Sequence, residues 1–105
     1  MIQMIIWDEE ISLHNVERFE EVIKQLLKSD SIGVILNLEK VSYMNSYGLG
    51  IIVNAVNNAK KLNKQLVIVN NRTTIKKIFG IVSFDSIVKV FSNEHEAKKF
   101  LSSAS

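Results

Sequence analysis

The chain has 105 residues, 47% of them hydrophobic and 23% charged, which suits one compact domain around one apolar core and argues against disorder. Thirteen basic against eleven acidic residues leave a net charge of +2, too little for a strong nucleic-acid or membrane field. The absence of cysteine excludes a disulfide framework and thiolate chemistry, and no apolar run approaches the roughly 20 residues that span a bilayer.

Ile2 to Trp7 read as a first strand, followed at once by Asp8-Glu9-Glu10 instead of a small-residue cleavage site. A signal peptide is therefore not expected, and a cytoplasmic location is. Glu10 to Leu13 can add a short edge strand. Val16, Phe19, Val22, Ile23, Leu26 and Leu27 form the stripe of an amphipathic helix over 16–28, with Asn15 as its expected cap. Gly33-Val34-Ile35-Leu36-Asn37-Leu38 is a nearly continuous apolar run, the signature of a buried strand.

A polar connection then ends in Asn45-Ser46, two residue types suited to capping a helix. Leu49, Ile52, Val53, Val56, Ala59 and Leu62 recur at steps of three and four, predicting a helix that runs to about Lys64. Gly48 and Gly50 fall in its first turns, where each costs about 1 kcal/mol relative to alanine. Such a pair implies close backbone approach or an exposed, uncluttered helix start, and for Gly48 the exposed start is expected. Gln65 to Val69 is a second short apolar strand. Thr73 or Thr74 is expected to cap a short helix bearing Ile75, Ile78 and Phe79, with Gly80 in the left-handed position at its end. Ser86 to Phe91 reads as the last strand, and Ser92 or Asn93 opens a closing helix with Ala97, Phe100 and Leu101.

Strands alternating with helices predict an α/β fold: a single domain over residues 1–105, with a mixed, mostly parallel β-sheet and about four helices. Residues 33–38 and 65–69 are expected at its centre.

Ser46 is the most informative polar residue, and two roles are open to it, a helix cap and a regulatory or catalytic hydroxyl at the helix's positive end. As a nucleophile it would need a base, and the G-x-S-x-G elbow is missing, since Met44 and Asn45 precede it. His14 and His95 read as surface residues, which leaves no Ser–His–acid set and no metal site. Gly48-Leu49-Gly50 lacks the remainder of a phosphate-binding motif. Arg72, Lys76 and Lys77 read as the exposed face of the short helix, with a partner contact as the alternative. Tyr47 and Phe84 are candidates for partly exposed apolar groups that mark a docking surface.

Val41-Ser42-Tyr43-Met44-Asn45-Ser46-Tyr47-Gly48-Leu49-Gly50, behind the strand Val34 to Leu38, resembles the STAS domains of the anti-sigma factor antagonist family. Ile78-Phe79-Gly80-Ile81 and the closing Glu94-to-Leu101 helix extend the resemblance over nearly the whole chain. It implies a cytoplasmic protein–protein switch without enzymatic activity or cofactor, contacting neither nucleic acid nor membrane. Its partner would be an anti-sigma factor that is also a serine kinase, with a phosphatase resetting the switch. Ser46 falls on the family's phosphorylated serine, and Asn45, Ser46, Tyr47, Gly48 and Leu49 on its partner-binding surface. The chain departs from the family by carrying Asn45 and Asn37 where aspartate is usual, which removes charge beside the serine. The competing expectation is a STAS-like accessory subunit of a transport or sensory assembly that is not switched by phosphate.

Overall fold

In the computed structural model, which describes residues 1–81 and 86–103, the elements alternate along the chain. They are β1 (Ile2–Ile6), α1 (Val16–Lys28), β2 (Gly33–Asn37), α2 (Ser46–Lys61), β3 (Gln65–Val69), α3 (Thr73–Ile81), β4 (Lys89–Phe91) and α4 (Glu94–Ser103). The four strands lie in the order β1-β2-β3-β4, and every pair is parallel. Among the described residues the sheet is therefore parallel throughout instead of mixed. Each strand reaches the next through a helix, and such crossovers return the chain in the same direction.

The central strands read as continuous apolar runs because both faces are covered. On one face Val34, Leu36, Leu66 and Ile68 pack with Phe19, Ile23, Leu26, Ile52, Val56, Ile75 and Phe79 from α1, α2 and α3. On the other, Ile35, Val67 and Val69 meet Ala97 and Leu101 of α4. The register sets Ile6 beside Asn37 and Asn37 beside Val69, so the carboxyl ends of three strands are level. Trp7, just past β1, is buried with its ring 5.2 Å from that of Phe19, edge to face. The Arg18 guanidinium lies 5.2 Å from the same Trp7 ring.

Several local expectations are corrected. The edge strand over 10–13 is a single parallel bridge between Ile11 and Met44. The last strand spans only Lys89–Phe91, because no neighbour pairs with residues 86–88 among those described. Asn15 precedes α1 without capping it: its Oδ1 accepts from Ser12 N at 2.9 Å and its Nδ2 donates to the Glu10 carbonyl at 2.7 Å. α2 stops at Lys61, and the left-handed residue is Asn63, with φ 58°. Asn63 N donates to Lys60 O and Lys64 N to Ala59 O, the double closure that a left-handed residue after a helix permits. Gly80 lies inside α3, and no described glycine has positive φ. Asn93 does cap α4, accepting from Glu96 N at 2.9 Å.

Candidate functional site

Three connections gather at the carboxyl end of the sheet: 8–15, 38–45 and 70–72. Ile11 joins the first two, its N–H donating to the Tyr43 carbonyl at 3.0 Å and its carbonyl accepting from Asn45 N at 2.9 Å. Asn70, buried at the end of β3, donates through Nδ2 to the Leu38 carbonyl at 2.7 Å and accepts from Arg72 N at 2.9 Å. Arg72 Nε donates to the Glu39 carbonyl at 2.9 Å, and the Thr74 hydroxyl to the Ser42 carbonyl at 2.7 Å. Asn37, also buried, accepts from Glu39 N at 2.9 Å and turns the chain out of β2. Buried polar groups held this way fix a loop, since each bond lost inside costs about 1–3 kcal/mol. The 38–45 connection is thus braced from both sides.

Asn45 closes it as the N-cap of α2, extended at φ −81° and ψ 174°, with Oδ1 accepting from Gly48 N at 2.9 Å. Ser46 is therefore the first helical residue and not the cap. Its side chain is exposed, and among the described residues no group hydrogen-bonds its hydroxyl. No acidic residue occupies the first turn of α2, which leaves the positive end of the helix dipole uncompensated beside that hydroxyl. Tyr47 is 66% exposed, and Tyr43 and Leu13 also present apolar surface. Leu49 is half-buried against the core.

Gly48 departs most from expectation. It is buried, not exposed, and a Cβ placed there would lie 2.8 Å from Ile11 Cγ2 and 3.5 Å from the Cβ atoms of Ile11 and Met44. Of the two readings of the glycine pair, close approach holds for Gly48. Gly50 is exposed, with open space around its Cβ direction.

Ser46 thus stands with Asn45 and Tyr47 at one surface, supported from below by Gly48 and Leu49. Arg72 lies ahead of α3 and serves the Glu39 carbonyl, whereas Lys76 and Lys77 are exposed on the helix as expected. Neither Thr73 nor Thr74 precedes α3, and Thr74 is spent on the Ser42 carbonyl instead of capping. Phe84 lies outside the described residues. His14 and His95 are exposed, on the loop before α1 and within α4. Among the described residues no three His, Asp or Glu side chains gather as a metal site, and no helix is long and apolar enough to cross a membrane. Sequence reasoning missed the bracing by Asn70, Arg72 and Thr74, for which the Asn70-Asn71 pair closing an apolar strand was the available signal.

Among the described residues, a parallel sheet with three helices on one face, one on the other, and an exposed serine opening the helix after β2 defines a small α/β module. The chain belongs to the STAS domain family, whose model matches residues 3–97. It is 30% identical over 81 residues to the anti-sigma-B factor antagonist of Staphylococcus aureus, covering 77% of this chain and 75% of that protein. An anti-sigma factor antagonist from Mycobacterium paratuberculosis superposes with a TM-score of 0.83 at 14% identity, over 91% of this chain and 81% of that one. The anti-sigma factor antagonist SpoIIAA in its unphosphorylated form gives 0.77 at 20% identity, over 95% and 87%. Its phosphorylated form, from Bacillus, gives 0.69 at 21% identity, over 93% and 88%. At these identities the superpositions bear on the fold.

Proposed function

We propose that this chain is a cytoplasmic anti-sigma factor antagonist, a binding protein and not an enzyme, switched by phosphorylation of Ser46. In this reading residues 1–105 act as one STAS unit. Its partner is an anti-sigma factor that is also a serine kinase, and a phosphatase restores the free hydroxyl. The observation that carries the reading is the state of Ser46: an exposed, uncommitted hydroxyl at the first position of α2, on a loop braced from two sides. The name of the Staphylococcus aureus relative and the existence of SpoIIAA in a phosphorylated form support it.

Asn45, Ser46 and Tyr47 supply the docking surface, Leu49 flanks it, and Gly48 shapes it by letting the helix sit on Ile11. Phosphate adds about −1.5 to −2 charges. At a helix N-terminus those charges meet free N–H groups and the dipole's positive end, so the fold tolerates them. The effect falls on the complex, where an unpaired charge against a partner's apolar or acidic surface costs several kcal/mol. Asn45, neutral where the family usually has aspartate, still caps the helix, so losing the charge does not lose the cap.

The test is incubation with ATP and the anti-sigma factor kinase, followed by mass-spectrometric location of phosphate. Phosphate on Ser46, absent from Ser46→Ala, is expected, together with loss of the complex. An unmodified Ser46, or a complex indifferent to phosphate there, would favour the unswitched accessory subunit.

A further inference from the structure

The two edges of the sheet are finished differently. β4 is three residues long and carries Lys89, whose ammonium lies 5.5 Å from the centroid of the Phe100 ring, and α4 packs against it. Short edges bearing lysine resist pairing with other strands. β1 is Ile2-Gln3-Met4-Ile5-Ile6, five residues without charge or proline, matched one to one with β2 on its inner side. Among the described residues no strand pairs with its outer side.

The backbone polarity of that edge follows from one bond. Trp7 N donates to the Asn37 carbonyl of β2 at 3.0 Å. Because N–H and C=O groups alternate sides along a strand, Gln3, Ile5 and Trp7 face β2, while Ile2, Met4 and Ile6 present theirs outward. The same three residues set their side chains on the α4 face. α4, however, packs mainly on β2, β3 and β4, so Ile2 and Met4 are only half-buried and Ile6 is 54% exposed. Free backbone groups and uncovered apolar side chains therefore belong to the same residues.

We propose that β1 pairs antiparallel with β1 of a second copy of this chain, about a two-fold axis through Met4. Met4 then lies opposite its own counterpart and Ile2 opposite Ile6, so every outward-facing residue meets an outward-facing residue. Each such pair exchanges two hydrogen bonds, about six in all. The Ile2, Met4 and Ile6 side chains of both copies join in one apolar row across the junction. A neutral edge offers no counter-charge to a charged strand, and its best match is an equally neutral strand, which every copy carries. The direction follows from charge as well. Antiparallel pairing sends each Asp8-Glu9-Glu10 past the end of the other strand, whereas parallel pairing would lay the two acidic runs side by side. The resulting eight-stranded sheet leaves the two Ser46 surfaces pointing in opposite directions, so the pairing stands independently of the phosphorylation reading.

Sedimentation equilibrium of the whole chain over a concentration series tests this. A monomer–dimer equilibrium is expected, and Ile6→Lys should raise its dissociation constant about tenfold or more. Ile6→Pro, which removes an outward donor, should do the same, and if that variant fails to fold, Ile6→Lys decides alone. Leu62→Lys, at an exposed apolar residue ending α2, should leave the constant unchanged. Amide exchange at Ile2, Met4 and Ile6 should slow as concentration rises. A chain that stays monomeric, a dimer indifferent to Ile6→Lys, a dimer weakened by Leu62→Lys, or exchange at those amides that ignores concentration would each overturn the proposal.

Discussion

Replacing the two glycines of α2 separately by alanine should have opposite effects, although they stand two residues apart on one helix. Gly50 has open space where its side chain would be, so Gly50→Ala collects the helix-propensity gain and should stabilise by up to about 1 kcal/mol. Gly48→Ala collects a similar gain but sets its methyl 2.8 Å from Ile11 Cγ2, closer than carbon atoms pack. Ile11 is fully buried and both its backbone groups are bonded, so it cannot withdraw cheaply. Overpacking of this kind costs about 1–3 kcal/mol, so the net change should be a loss of roughly 0–2 kcal/mol. Ile11→Ala alone should cost about 2–5 kcal/mol through lost burial and a cavity. It also removes the clashing methyl, so Gly48→Ala introduced into that background should be neutral or stabilising. Urea denaturation of the four chains of this cycle, at constant m, measures the coupling, expected at about 1–3 kcal/mol. If Gly48→Ala stabilises the parent chain as much as Gly50→Ala does, the close approach to Ile11 is wrong.

The remaining predictions concern the same end of the sheet and its centre. Asn45→Ala should cost about 0.5–2 kcal/mol in the urea midpoint, whereas Asn45→Asp, which keeps the capping oxygen and adds an anion at the helix start, should be neutral or stabilising. Ser46→Ala should change stability by less than about 0.5 kcal/mol, because the cap resides on Asn45. Ser46→Asp should match or exceed the parent in a thermal melt yet bind the proposed anti-sigma partner more weakly than Ser46→Ala in calorimetry, by about 1.4 kcal/mol per tenfold. Asn70→Leu strands the Leu38 carbonyl and Arg72 N–H and should cost about 1–3 kcal/mol for each group left unpaired, read in the same urea titration. Leu36→Ala, at the centre of the sheet, should cost about 2–5 kcal/mol, and a loss below about 0.5 kcal/mol would contradict its burial.

What the chain declares by itself is the order and kind of its long elements. The stripe from Val16 to Leu27, the runs at 33–38 and 65–69, and the spacing from Leu49 to Leu62 are periodicities that one face or two buried faces impose, and they reappear as α1, β2, β3 and α2 with only the ends of β2 and α2 shortened. Ser46 could likewise be singled out, because strand, polar loop and helix start adjoin in sequence. The caps were harder to assign. Asn45 and Ser46 both suit the position, and only the turn set by Ile11 and Tyr43 decides that the asparagine oxygen reaches Gly48 N. The same ambiguity makes Asn15 a cap it does not form, puts Gly80 in a left-handed position it does not take and hides Asn63, which does, since side-chain type permits several backbone conformations and the packed neighbours select one.

Contacts between distant segments were decided by the tertiary structure alone. Gly48 looks identical to Gly50 along the chain, yet it lies against Ile11, a residue two elements earlier, and so is buried instead of exposed. Nothing within a few residues of Asn70 shows that its amide reaches Leu38 across the sheet end. Strand order was legible by contrast, since the continuous apolar runs at 33–38 and 65–69 mark strands covered on both faces and so leave β1 and β4 outermost. The outer side of β1, unpaired among the described residues, is the consequence, a property of five uncharged residues that only their place at the edge turns into a surface.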